Sequence, residues 1–214
     1  RETVEARRRG EIPDRLLLLE HPPVVTLGRR GDEANLRLDR ASLAARGVEV
    51  HRVSRGGDVT YHGPGQLVGY AVVDLAARGR PDVHRFLRLQ EAALIETLAR
   101  LGVAGTRRPG LTGVFVAGAP QRKIASIGIG LRGWVSHHGF ALNLSVDLSG
   151  FEAIVPCGLS DIEMTSVSRE GEDASPADLA LRARHAIADA FPRHLRLLAG
   201  GESGLYTAPA CRAG

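Results

Sequence analysis

Val114-Phe115-Val116-Ala117, Gly118-Ala119-Pro120, then Ile124-Ala125-Ser126-Ile127-Gly128-Ile129-Gly130-Leu131 follow one another with no helical segment between them. The first and third runs are apolar and partly β-branched, and read as strands joined across the Gly-Ala-Pro turn. Residues 134–144 add one or two more strands directly afterwards. Further out, residues 15–20 and 24–27 read as buried strand broken by Pro22 and Pro23. Residues 48–53 alternate apolar and polar as a half-buried strand does, and residues 67–75 form another apolar strand. Between those two lies a glycine-rich loop, residues 55–65.

Helices occupy separate parts of the chain. Residues 39–46 predict a short helix capped by Asp39 and stopped by Gly47. Across residues 82–101, Phe86, Leu87, Leu94, Leu98 and Leu101 recur at three-, four- and seven-residue spacing, and Gly102 supplies the stop. Ser175 caps a further helix with Pro176 at its first position; Leu179, Ala183, Ile187 and Ala190 form its apolar stripe. Strands and helices do not alternate strictly, which predicts a mixed α+β fold rather than a doubly wound sheet.

At 214 residues, the chain has the size of one domain with a core large enough to need no disulfide or metal. No Pro/Ser-rich linker divides it, so residues 1–214 are expected to form a single domain with the last dozen residues as a loose tail. A hydrophobic share of 43% and a charged share of 24% exclude disordered and collagen-like classes. No apolar run exceeds four residues, the length of the run at residues 16–19, far short of the roughly 20 residues needed to span a bilayer. Nothing near Arg1 reads as a signal peptide, and without an initial Met a few residues are expected to precede it.

Two cysteines, Cys157 and Cys211, make neither a disulfide framework nor a zinc site, and predict a reducing, cytoplasmic location. The net charge of +4 fits acidic partners. The basic residues are nevertheless spread thinly and aromatics reach only 4%, which argues against nucleic acid. The basic residues are 27 arginines and a single lysine, Lys123. Where drift has turned nearly every Lys into Arg, a surviving amine is a candidate for chemistry that a guanidinium cannot supply.

Four segments carry reactive side chains. Arg55-Gly56-Gly57-Asp58-Val59-Thr60-Tyr61-His62-Gly63-Pro64-Gly65-Gln66 has glycines that allow close backbone approach to a ligand, with a cation, a hydroxyl, an imidazole and an amide in one loop. It matches neither a P-loop nor a dinucleotide fingerprint. Cys157 lies between Pro156 and Gly158, in an irregular segment where side chains face clefts more often than in regular elements. An ordinary thiol is only about 3% thiolate at pH 7, so a nucleophilic Cys157 needs a cation or base; Lys123, His62, His137 and His138 are candidates. Cys211, in the tail, reads as inert. Lys123 stands at the start of a strand, where the plain expectation is an exposed side chain. His137 and His138, adjacent in a strand, are expected to point to opposite faces, and no metal site is expected.

Taken in order, these segments resemble the octanoyltransferases of lipoate biosynthesis, the lipoate-protein ligase B family. The markers are Glu20-His21-Pro22-Pro23 with Thr26-Leu27-Gly28, the loop of residues 55–66, Lys123-Ile124-Ala125-Ser126-Ile127-Gly128, His138-Gly139-Phe140-Ala141-Leu142-Asn143, and Pro156-Cys157-Gly158-Leu159 with Met164-Thr165-Ser166. The resemblance implies a biotin/lipoate protein ligase-like mixed sheet flanked by helices, with a smaller sheet to one side. It also implies transfer of an octanoyl group from acyl carrier protein to a lysine of a lipoyl domain of a 2-oxoacid dehydrogenase, or of glycine-cleavage H protein. No cofactor, nucleic acid or membrane is implied, and a monomer is expected. By the same resemblance Cys157 is the acyl-carrying nucleophile and Lys123 its partner. Arg55, Gly56, Gly57, Asp58, Val59, Thr60, Tyr61, His62, Ser126, Ile127, Gly128, Gly139, Phe140 and Ala141 would line the acyl site.

Chemistry agrees with that assignment. A thiolate beside an ammonium is stabilised, thioester exchange is nearly balanced, and thioester-to-amine transfer is downhill without ATP. An ATP-dependent lipoate or biotin ligase would keep a lysine like Lys123 but would not need Cys157. A glycine-rich adenylate signature of the Gly-Arg-Gly-Arg-x-Gly kind is absent. A non-catalytic acyl- or lipoyl-domain-binding module would leave Cys157 unreactive. A papain-like hydrolase would carry a local cysteine signature that this chain lacks.

Overall fold

A computed structural model describes residues 2–79, 81–155, 162–171 and 174–198. Its centre is the antiparallel hairpin of β8, Ala119–Arg132, and β9, Val135–Asn143, in register from Ala125 opposite Leu142 to Arg132 opposite Val135. Gly133 and Trp134 turn the chain with φ of 54° and 64°; positive φ at both central residues matches the twist of a two-residue hairpin. On one side β9 pairs with β5, Gln66–Val72, which pairs with β1, Arg15–Leu19. On the other, β8 pairs with β7, Val114–Val116, and then β6, Gly105–Thr106. A short strand β10, Glu163–Met164, runs parallel to β8 and sets Met164 beside Lys123.

Helices α3, Val83–Arg100, and α5, Pro176–Arg196, pack on each other, and their apolar residues join the sheet's in the main core. Both begin where the sequence places them. The Asp82 side chain accepts from Arg85 N, and Ser175 accepts from Asp178 N, each satisfying an otherwise orphaned first-turn donor. Leu94, Leu98 and Leu101 meet Leu179, Ala183, Ile187 and Ala190 in that core. Near the start, α1, Glu2–Arg8, inserts Val4 against Val72 and Val135. Among the described residues no helix is long and apolar enough to cross a membrane.

A second, three-stranded sheet has β2, Val24–Leu27, between β3, Glu49–Arg52, and β4, Val59–His62. Helix α2, Arg40–Ala45, capped by Asp39, precedes β3. By sequence alone, residues 59–62 belong to the glycine-rich loop. They form a strand because Val59 and Tyr61 are buried while Thr60 and His62 are only part-buried, the period-two pattern of a half-covered strand hidden among flanking glycines. This sheet buries Val25, Leu27, Val59 and Tyr61 against Phe115, Phe151 and Ile154 in a second core.

Close approach of β5 and β9 depends on Gly139, where a Cβ would overlap Gly69 O and come within 3.1 Å of Ala71 N. Both are backbone atoms that cannot swing away. Gly139→Ala is therefore expected to cost about 3 kcal/mol, the upper end of ordinary overpacking, read as a lowered urea midpoint.

Candidate active site

Between the small sheet and the β5–β9–β8 face lies a cavity of about 380 Å³, within the range of small-molecule pockets. Register builds its floor: Ser126 lies opposite Ala141, Ile127 opposite Phe140 and Gly128 opposite Gly139. All six line the cavity, as do Lys123, Arg55, Gly56, Gly57, Asp58, Val59, Thr60 and His62. Tyr61 does not. Its side chain follows the opposite face of β4, packs edge-on to Phe151 at 5.5 Å and is 6% exposed. Cys157 and Cys211 lie outside the described residues. The walls also include His21, Pro22, Pro23, Thr26, Val68 and Tyr70, which the sequence reading did not place at a site. The signal for the first four was their presence in the Glu20-His21-Pro22-Pro23…Thr26 marker.

Lys123 is the sharpest departure from the plain expectation of an exposed strand end. It is 4% exposed, inside β8 rather than at its start, with Nζ 5.6 Å from the centroid of the Phe115 ring, a cation–π distance. Gly113 makes room for it. A Cβ there, at φ 120°, would lie 2.5 Å from Ala125 O and 2.7 Å from Lys123 Cε. The Gly113 N–H donates to Oε1 of the buried Glu91 at 3.1 Å, and Oε2 of Glu91 pairs with Arg88 Nη1 at 2.7 Å and Arg107 Nε at 2.9 Å.

Arg55 ties the glycine-rich segment to β2. Its Nη2 donates to Thr26 O at 2.6 Å and Thr26 Oγ1 at 2.8 Å, Nε to Thr26 Oγ1 at 3.3 Å, and Nη1 to Gly56 O at 3.1 Å. The guanidinium thus serves as a staple that also places positive charge against the cavity wall. Imidazoles add further polar surface. His62 Nδ1 is 2.7 Å from Gln66 Oε1, and its Nε2 is 3.4 Å from Thr26 Oγ1. The Tyr70 hydroxyl is 2.5 Å from His21 Nε2.

His137 and His138 do not point to opposite faces. Both Nε2 atoms approach Ser54 Oγ, at 3.0 and 3.5 Å, with ring centroids 5.1 Å apart. His138 has φ 58°, and a left-handed residue interrupts the alternation on which the strand expectation rested. Among the described residues no group of three His, Cys, Asp or Glu could hold a metal ion.

The electrostatics favour uncharged rings. Burial, with Arg55 and neighbouring imidazoles adding repulsion, pushes His62 and His138 down to about 4; burial also lowers His21 and His137. An unfolded chain, titrating near 6.5, takes up protons that the folded protein refuses. Stability is therefore complete above about 6.5 and falls on acidification toward about 4. The denaturation midpoint is expected to drop between pH 7 and pH 4.5, and to drop less in His62→Gln.

The lipoyl protein ligase A/B catalytic domain model matches residues 1–188. The chain is 47% identical over 202 residues to an octanoyltransferase of Acidobacterium capsulatum, covering 90% of this chain and 82% of that one. It is 53% identical over 161 residues to an octanoyltransferase of Geotalea uraniireducens, covering 75% and 70%. Among solved structures, a lipoate-protein ligase A bound with ATP superposes with a TM-score of 0.71 at 20% identity, over 89% of this chain and 77% of that one. The bi-partite lipoate protein ligase of Thermoplasma acidophilum gives 0.70 at 20% identity, over 89% and 76%. These two structures share the fold.

Proposed function

The chain belongs to the lipoyl protein ligase A/B catalytic domain family, as an acyltransferase of its octanoyltransferase branch, and from that premise we propose a two-step transfer through Cys157. An octanoyl group leaves the phosphopantetheine thioester of acyl carrier protein, rests on Cys157, and ends on the target lysine of a lipoyl domain. The observation that carries this reading is the burial of the chain's only lysine in the wall of a pocket suited to a small acyl group. The strand beside it begins six residues after Cys157, with Met164 paired to Lys123.

In the first step, Cys157 and Lys123 share one proton, as thiolate and ammonium when the donor arrives. The thiolate attacks the donor carbonyl, a new C–S bond forms, the old one breaks, and the departing pantetheine sulfur takes the proton from Lys123. In the second step, the acceptor amine attacks the Cys157 thioester. The C–N bond forms, the C–S bond breaks, and Lys123, now an amine, takes a proton from the attacking nitrogen. The thiolate–ammonium pair is thereby restored with no ATP consumed.

The test is transfer from octanoyl-acyl carrier protein to an unmodified lipoyl domain without nucleotide. Octanoylated lipoyl domain supports the reading. A strict need for free octanoate and ATP would place the chain with the ligases.

A further inference from the structure

Two backbone carbonyls beneath the cavity set the direction of a whole chain of buried hydrogen bonds. Carbonyl oxygens only accept, so at the Thr165 O contact of 2.8 Å Asn143 must present Nδ2, which turns its Oδ1 toward Gln66. Gln66 meets that Oδ1 at 2.9 Å and Tyr61 O at 3.3 Å, both acceptors, so the Gln66 atom there is Nε2. Its Oε1 then faces His62 Nδ1 at 2.7 Å, and Nδ1 must carry the ring proton. Gln66 and Asn143 are each 1% exposed and Thr165 is fully buried, so water cannot replace a missing partner.

A second set of contacts reaches the same answer from the opposite side of the ring. Arg55 Nη2 and Nε occupy the acceptor side of Thr26 Oγ1, which leaves the Thr26 O–H as the hydrogen available to His62 Nε2 at 3.4 Å. That separation is long, so a better donor in the cavity would displace the hydroxyl. Burial and the Arg55 charge keep a second proton off the ring.

We propose that Gln66 and Asn143 are positioning residues that hold His62 as its Nδ1–H tautomer, so that Nε2 faces the cavity as a fixed acceptor for an N–H of the incoming amine. This rests on the two-step transfer above. His62 takes no proton in it: one amine N–H is held by Nε2, the nitrogen lone pair is left free to attack, and the other proton leaves to Lys123. An imidazole in the opposite tautomer would offer the amine a competing donor and turn its lone pair away from the thioester.

The tautomer is read directly from long-range proton–nitrogen NMR of the uniformly ¹⁵N-labelled protein at pH 7, with His62→Gln identifying the signal. A protonated Nδ1 and bare Nε2 are expected; a protonated Nε2 in the wild-type protein overturns the inference. For Gln66→Leu, kcat/KM toward the lipoyl domain is expected to fall about tenfold, the scale of one misplaced hydrogen bond, while Cys157 acylation by the donor keeps its rate. Unchanged acceptor kinetics, or an equal loss in both half-reactions, would contradict a positioning role. If the wild type transfers no octanoyl group although Nδ1 is protonated, the proposed function fails and the tautomer assignment stands. If transfer proceeds with Nε2 protonated, this inference alone fails.

Discussion

Lys123→Met is expected to lower octanoyl transfer about 10³-fold, the middle of the range for losing a general acid–base group, while the urea midpoint stays near that of the wild type. Methionine keeps the unbranched stem that fills the space left by Gly113 and rests near Phe115, so packing is preserved. Under the proposed transfer, what disappears is the amine that holds the shared proton in both half-reactions. Lys123→Arg retains a cation but is expected to fare no better. The Lys123 Cε already sits where a Gly113 Cβ would be only 2.7 Å away, and the planar guanidinium head is bulkier and does not release its proton. Full activity in Lys123→Arg would mean that the side chain acts only as a fixed charge.

Cys157→Ser is expected to be the more severe lesion, about 10⁴-fold or greater, as for removal of a covalent nucleophile. A serine hydroxyl near neutral pH is almost wholly protonated, and an amine too weak a base to generate an alkoxide could not play toward it the part proposed for Lys123 toward a thiol. The variant should still bind donor and acceptor, since the cavity walls contributed by β2, β4, β5, β8 and β9 are untouched. A Cys157→Ser protein that transfers octanoate at the wild-type rate would exclude a thioester intermediate.

The sequence carried β1, β5, β7, β8 and β9 of the large sheet because they lie in apolar runs bounded by glycine or proline, and α3 and α5 because their stripes and caps agree; the two-residue strands β6 and β10 are too short to leave a pattern. It carried β4 badly. Flanking glycines disguised a four-residue alternation whose partner, β2, lies more than thirty residues away. The same alternation decides why His62 and Thr60 face the cavity while Tyr61 does not. Lys123 was singled out by its rarity, yet its burial was not legible, because the room it occupies is made by Gly113 ten residues earlier across a strand pairing. The shared direction of His137 and His138 rests on one positive φ. His21 and Tyr70 meet across 49 positions, a contact that no local pattern encodes.

The most direct measurement is the intact mass of the protein after incubation with octanoyl-acyl carrier protein alone, followed by digestion to locate any added group. The two-step mechanism predicts one octanoyl group on Cys157, labile to hydroxylamine and discharged when a lipoyl domain is added. Absence of any adduct, with acyl transfer appearing only after free octanoate and ATP are supplied, would contradict it and leave Cys157 without a covalent role.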